Sequence, residues 1–184
     1  MKTTILFIYL ILVLAINANA QIYATKNGSI KFFSDAPLEK IEANNRQVNA
    51  ALNAGTGDFV FRVLIKSFEF EKALMQEHFN ENYLESDKFP SSTFVGKVTN
   101  IKDIDLLKDG INEVSIEGKM TIHGITKVIR EKGTFEVRQG KVSGKSTFGI
   151  LLSDYNVAIP NTVGNKISKT IEITVDVFLE KVNN

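Results

Sequence analysis

The stretch ISKTIEITVDVFLE, residues 167 to 180, alternates between apolar and polar side chains from Ile171 onward. Alternation with a period of two predicts a β-strand that has one buried face and one solvated face. The apolar face comprises Ile171, Ile173, Val175, Val177 and Leu179, and the polar face comprises Glu172, Thr174 and Asp176. A strand of this kind must pair with others, and the rest of the chain contains suitable segments.

Seven further segments have the composition or the alternation of strands. The clearest two are residues 57–67, GDFVFRVLIKS, and residues 113–122. Asp109-Gly110 precedes the second of these, and Asp-Gly between alternating runs is typical of a hairpin between antiparallel strands. The sequence therefore predicts an all-β domain that either closes into a barrel or packs as two sheets. The other predicted strands are residues 30–34, 47–53, 92–101, 127–138 and 141–151.

One segment breaks this alternation. Residues 72–84, KALMQEHFNENYL, contain neither Gly nor Pro, and Met75, Phe79 and Tyr83 recur at every fourth position. That spacing places the three side chains on one face of a short helix, inserted after an early strand. A second helical turn is predicted within residues 37–45, where Pro37 suits the first position of a helix.

The start of the chain, its charge balance and its lack of Cys limit the range of functions. Residues 1–20 have the basic start, apolar run and small terminal residues of a cleaved secretory signal peptide, so residues 21–184 are predicted to form one exported domain. Without Lys2 the chain carries 21 basic and 21 acidic side chains, which argues against nucleic acid as a partner. The chain contains no Cys, so the core must hold the domain together without disulfides.

Residues suited to catalysis or to metal binding are scarce. His78 and His123 are the only histidines, and with no Cys a zinc site would also need carboxylates. There is no G-x-S-x-G nucleophile motif, and neither histidine lies in a recognisable motif of acid–base chemistry. We therefore expect no metal, no cofactor and no enzymatic activity. His123, which precedes Gly124 in MTIHGITK, is predicted to form a hairpin corner with a structural role.

Three segments together resemble a known family. They are FEFEKALMQEHFNENYLESDKFPSSTF (residues 68–94), VSIEGKMTIHGITKVI (residues 114–129) and SDYNVAIP (residues 153–160). These segments resemble those of the YceI-like family, which comprises exported proteins of the polyisoprenoid-binding type. The resemblance extends from about residue 28 to residue 179. The sequence departs from the family pattern in its N-terminal third, which contains Pro37.

The resemblance implies a fold and a class of ligand. It implies an extended eight-stranded antiparallel barrel, similar to that of lipocalins, with an elongated apolar pocket. It implies an isoprenoid ligand, such as a polyprenyl pyrophosphate or an isoprenoid quinone, and no catalytic residues. It also implies a periplasmic or secreted protein without a stable membrane anchor, and a possible homodimer.

These expectations lead to one main hypothesis and one alternative, with an uncharacterised hydrolase as a third and less favoured hypothesis. The main hypothesis is that the barrel sequesters or carries a long-chain amphiphile, because Phe, Val and Ile suit a hydrocarbon ligand. The alternative is a barrel with a filled core, acting as a structural or stress-related interaction protein of the cell envelope. The residues predicted to line the pocket are Phe59, Phe61, Val63, Ile65, Phe79, Tyr83, Phe94, Phe148 and Tyr155.

Overall fold

Over the part of the chain that the structure describes, the fold consists of nine β-strands and one short helix. It is taken from a computed structural model that describes residues 21–182, so the predicted signal peptide lies outside the described residues. Helix α1, Ala73–His78, continues into a π-helical turn at Phe79–Tyr83. The strands are β1 (Ile22–Asp35), β2 (Lys40–Asn53), β3 (Asp58–Leu64), β4 (Glu69–Phe70), β5 (Ser91–Val98), β6 (Gly110–Ile122), β7 (Ile125–Arg138), β8 (Lys141–Leu151) and β9 (Thr170–Lys181).

Eight of these strands form a closed antiparallel barrel. Around the ring the order is β1, β9, β8, β7, β6, β5, β3 and β2, and β2 pairs back onto β1. Strand β4 has only two residues and pairs with Ala43 and Asn44, near the start of β2. The eight-stranded barrel that the family resemblance implied is therefore confirmed, as is the predicted helix after an early strand.

Three local predictions were wrong. The strand predicted over residues 92–101 ends at Val98, and Ile101 lies in a 3₁₀ turn. Residues 37–45 are not helical, because β2 begins at Lys40 and pairs with β1 across a hairpin that contains Pro37. Ala43, Asn45 and Val48 of β2 are buried in the barrel, so tertiary pairing overrides the local helical signal. The strand predicted over residues 57–67 ends at Leu64, and Ile65 lies in a 3₁₀ turn.

The two ends of the barrel are packed differently. At the end that holds the β2–β3, β5–β6 and β7–β8 turns, side chains from every wall fill the interior. Leu52, Val98, Phe135, Val142 and Leu179 are all almost fully buried there. The other end holds α1 and the long connection between β8 and β9, and there the inward side chains leave space between them.

Candidate functional site

An apolar cavity of about 560 Å³ occupies the end of the barrel that carries α1. Its wall consists mainly of the inward-facing side chains of the barrel strands, whose period-two pattern delivers an apolar residue at every second position. This volume lies within the range of about 300–1,000 Å³ that is typical of pockets for small molecules.

Aromatic rings form the floor of this cavity. Phe59 and Phe135 meet edge to face with their ring centroids 6.0 Å apart. Phe61 packs on Phe59 at 4.6 Å and lies 6.4 Å from Phe94, again in edge-on geometry. Below these rings the barrel is filled, so the floor separates the cavity from the packed end.

A second group of rings attaches the helical segment to the barrel. Phe79 begins the π-helical turn after α1 and contacts Phe32, Phe68 and Phe70, with centroid distances between 5.0 and 5.4 Å. Phe32 comes from β1, so the contacts join the helical segment to the barrel wall. We call Phe32, Phe68, Phe70 and Phe79 the phenylalanine cap, which covers part of the cavity.

Charged and polar side chains also reach the cavity, mainly near the helical segment. Lys72, which precedes α1, lies 3.5 Å from the carboxylate of Glu39 in the β1–β2 hairpin. His78 at the end of α1 and Lys166 in the β8–β9 connection also contribute to the lining. The mouth therefore carries several charged groups, whereas the interior is mainly apolar, with Glu131, Lys145 and Ser146 among the polar residues that border it.

The structure places all nine predicted pocket residues on the cavity wall. Phe59, Phe61 and Val63 face inward from β3, which is the face that the alternation predicted. Burial raises the pKa of the Tyr83 hydroxyl. Burial is the main cause that raises the pKa of the Tyr155 hydroxyl, and the nearby charge of Asp154 is the second cause. Contact of the nine residues with a ligand stays a prediction. Phe94 belongs to the floor and Phe79 to the phenylalanine cap, and Ile65 and Phe148 also line the cavity.

Several lining residues were missed by the sequence analysis of the site. Ile171, Ile173 and Val175 belong to the inward face that the alternation of β9 identified, so their pattern could have placed them on the wall. Glu131 carried no such signal, because Arg130 and Lys132 flank it and the three together look like a solvated run of charges.

With this geometry established, comparison with known proteins identifies the family. A model of the YceI-like domain matches residues 19–179. The chain belongs to the YceI-like family. No curated protein matches it.

Solved structures share the YceI-like fold at low sequence identity. A polyisoprenoid binding domain from Saccharophagus degradans, implicated in plant cell wall breakdown, has a TM-score of 0.77 and 13% identity, over 88% of this chain and 98% of that one. BcnA from Burkholderia cenocepacia has a TM-score of 0.66 and 14% identity, over 83% and 95% of the two chains. A YceI protein from Campylobacter jejuni has a TM-score of 0.56 and 17% identity, over 77% and 85%.

The three segments that resemble the YceI-like family meet at one corner of the barrel. His123 and Gly124 form the two-residue turn between β6 and β7, with φ of 50° and 74° as a type I′ hairpin requires. The His123 side chain, 11% exposed, has Nε2 2.6 Å from Glu85 Oε2 and Nδ1 3.2 Å from the Tyr155 carbonyl oxygen. The Phe89 ring stands edge-on to the imidazole at 4.8 Å.

This corner cluster of Glu85, Phe89, His123 and Tyr155 ties three connections of the barrel together. Each imidazole nitrogen of His123 faces one oxygen, the Glu85 carboxylate on one side and the Tyr155 carbonyl on the other. Gly124 is needed as well, since a Cβ there would lie 2.5 Å from the Phe89 ring. His123 therefore has a structural position, as its sequence context predicted.

The corner cluster predicts a specific dependence of stability on pH. The hydrogen bond from His123 is the main cause that holds the pKa of the Glu85 carboxyl below its ordinary value of 4.5. A carboxyl whose pKa is lower in the folded state stabilises the fold above its unfolded pKa, and this contribution is lost as the pH falls through the folded pKa. We expect Glu85→Gln to lower the Tm at neutral pH and to differ progressively less from the wild type below about pH 4.5.

Thermal unfolding followed by circular dichroism between neutral and acidic pH would measure this difference. Glu81→Gln is the matched control, because Glu81 is an exposed acid of the same segment. A Tm difference between Glu85→Gln and the wild type that stays constant down to the lowest pH would contradict the pairing.

Among residues 21–182, no helix is both long and apolar enough to cross a bilayer.

Proposed function

We propose that this YceI-like chain binds a long-chain amphiphile of the isoprenoid type in its barrel cavity. The observation that carries the proposal is the cavity of about 560 Å³, which has an aromatic floor, aliphatic walls and charged groups near its mouth. The relative from Saccharophagus degradans, described as a polyisoprenoid binding domain, supports the same class of ligand.

The physical driving force for this binding is the burial of hydrocarbon. Each methylene group that leaves water contributes about 0.8 kcal/mol, so a long chain gains affinity without polar contacts. Phe, Ile and Val side chains offer contact area without unsatisfied polar atoms, which suits a branched isoprenoid chain. We infer binding rather than catalysis, because the lining is predominantly apolar.

The alternative function, an interaction protein with a filled core, fits one half of the barrel only. The end around Phe135 is filled, whereas the end beneath α1 is not. We therefore favour ligand binding, and we propose that the protein acts outside the cytoplasm after removal of residues 1–20, as a monomer or a homodimer.

One experiment tests these proposals together. The full chain is expressed in its own host, purified gently from the envelope and medium, and examined by native mass spectrometry followed by organic extraction. We expect a bound isoprenoid-type lipid and a mass that corresponds to a chain without residues 1–20. The same spectrum reports monomer or dimer. Repeated recovery of the protein without any lipid would contradict the proposed function.

A pair of variants on β9 makes this test specific to the cavity. Ile173→Lys places a charge in the apolar wall, and we expect it to lower lipid occupancy by about tenfold or more, because a buried charge costs several kcal/mol. Thr174→Lys is the control, since Thr174 is the adjacent residue on the outer face of the strand. Circular dichroism verifies that both variants fold. Equal lipid occupancy in the two folded variants would show that the ligand lies elsewhere.

A further inference from the structure

Glu131 is an acidic residue in the apolar part of the cavity wall. It lies on the inward face of β7, in the same alternation as Ile129 and Phe135, which also line the cavity. Across the neighbouring strand it is paired with Ile116, a further apolar residue of the lining. Four residues of strand separate Glu131 from Phe135, which corresponds to about 13 Å and places the carboxyl group well above the floor.

The basic residues nearest to Glu131 along the strands have other partners or face outward. Arg130 pairs with Glu117 at 2.8 Å on the outer surface. Lys145 also borders the cavity, but its ammonium group lies 3.4 Å from Asp176, on the outer face of the β8–β9 ladder. Lys132 is exposed, and its carbonyl oxygen accepts a hydrogen bond from Ser146. Among residues 21–182, no side chain forms an ion pair or a hydrogen bond with the Glu131 carboxyl group.

Glu131 is half-buried, and burial is the cause that raises the pKa of its carboxyl group. The carboxyl oxygens of Glu131 are not fully enclosed by protein, so a ligand in the cavity can reach them and supply a hydrogen-bonding partner. A carboxyl group in a cleft whose pKa is raised by burial is typical of a functional position.

The barrel wall next to Glu131 is also less continuous than elsewhere. Strands β7 and β8 pair only where Thr134–Arg138 face residues 141–145, although β7 begins at Ile125 and β8 continues to Leu151. Glu131 therefore lies on the part of β7 that has no ladder partner on the β8 side. The chain keeps an acidic group at a place where the cavity wall is not sealed by strand pairing.

We propose that Glu131 binds the polar group of the ligand, and that this group is a hydrogen-bond donor, either a hydroxyl or an amine. An ionised carboxylate accepts hydrogen bonds, and a protonated carboxyl group can still accept from a hydroxyl. A phosphate or carboxylate head group at this depth would bring two like charges together in an apolar environment, which is unfavourable. The cavity thus selects neutral or cationic isoprenoid amphiphiles over anionic ones; this inference rests on the proposed function.

The test compares three probes that share one isoprenoid chain and differ only in the head group. They are geranylgeraniol, geranylgeranylamine and geranylgeranyl monophosphate, each used to displace the neutral dye N-phenyl-1-naphthylamine. We expect the wild type to prefer the amine to the monophosphate by about tenfold or more, since hydrogen bonds to charged groups contribute roughly 1.5–3 kcal/mol. We expect Glu131→Leu to remove this preference. We expect Glu131→Gln to bind geranylgeraniol as the wild type does but to lose the preference for the amine.

Glu136→Gln is the matched control, because Glu136 belongs to the same strand but lies on its outer face. If the Glu131 variants bind all three probes in the same order as the wild type, the inference is overturned while the proposed function stands. If the monophosphate binds the wild type as tightly as the amine does, the inference is likewise overturned. If no probe binds the wild type, the proposed function fails, and the inference fails with it.

Discussion

Replacing Phe135 by alanine is expected to lower the free energy of unfolding by about 3–5 kcal/mol. Phe135 is 1% exposed and lies where the filled end of the barrel meets the cavity. Its ring packs against Phe59 and over Gly144, whose backbone it approaches so closely that a Cβ there would be 3.1 Å from the ring. Removing the ring takes away apolar contacts from two walls at once and leaves a void that the rigid barrel cannot close.

Phe178→Ala is the matched control for this substitution. Phe178 is on the neighbouring part of the sheet, on the outer face of β9, and is 64% exposed. Its truncation should change the free energy of unfolding by no more than about 0.5 kcal/mol, as is usual for exposed sites. Urea denaturation followed by far-UV circular dichroism would measure both variants. A similar loss of stability in both would contradict the division of the barrel into a filled end and a cavity.

The fold could be predicted from the sequence wherever apolar and polar residues alternate along a strand. In β3, β6 and β9 the alternation is nearly unbroken, because each strand has one face in the barrel and one in water. For that reason the inward positions of Phe59, Met120 and Val177 follow from periodicity alone. Counting such segments predicted the eight strands of the barrel, and the family resemblance predicted that they close into a ring.

The parts that were predicted wrongly depend on contacts between distant residues. Lys40–Asn53 is a strand because β1 and β3 offer it partners on both sides, which no local propensity within residues 37–45 records. The β3 strand ends early because Ile65 turns inward and its amide donates to the carbonyl of Pro90, a residue 25 positions later.

The candidate site was predictable in its apolar part but not in its polar part. Inward positions of alternating strands, one face of the predicted helix and the segment of residues 153–160 yielded the nine predicted residues, all of which border the cavity. Periodicity does not distinguish a filled core from a cavity, because both need inward hydrophobic residues, and only the packing of whole walls decides which is formed. Glu131 has ordinary charged neighbours in sequence, so its isolation becomes visible only when β6, β7 and β8 are assembled around it.

Replacing Gly118 by alanine is expected to destabilise the barrel by about 3 kcal/mol, at the upper end of the range for overpacking. Gly118 on β6 pairs with Gly96 on β5, on the inward face of both strands. A Cβ at position 118 would lie 2.5 Å from the Gly96 Cα, 2.7 Å from the Val95 carbonyl oxygen and 2.6 Å from the end of the Phe94 ring. Two of these three atoms belong to the backbone, so a change of rotamer cannot relieve the contact.

The glycine pair matters for the cavity as well as for stability. Because neither residue has a side chain, the Phe94 ring can lie over both glycines and form part of the cavity wall. Gly118→Ala should therefore displace the ring into the cavity, and we expect it to weaken binding of an apolar dye in addition to lowering the Tm. Combining it with Phe94→Leu should restore only part of the stability, since the two backbone contacts remain.

Gly149→Ala is the control that separates the steric effect of a Cβ at position 118 from the general effect of replacing glycine by alanine in a strand. Gly149 lies on the exposed face of β8, and a Cβ there would approach only the Thr170 methyl group, at 3.2 Å. That methyl group can move, so we expect a change of no more than about 0.5 kcal/mol. Thermal and urea unfolding of the three variants would measure these differences. Full recovery of stability in the Gly118→Ala, Phe94→Leu double variant would mean that the ring alone, and not the approach of the two strands, requires glycine at position 118.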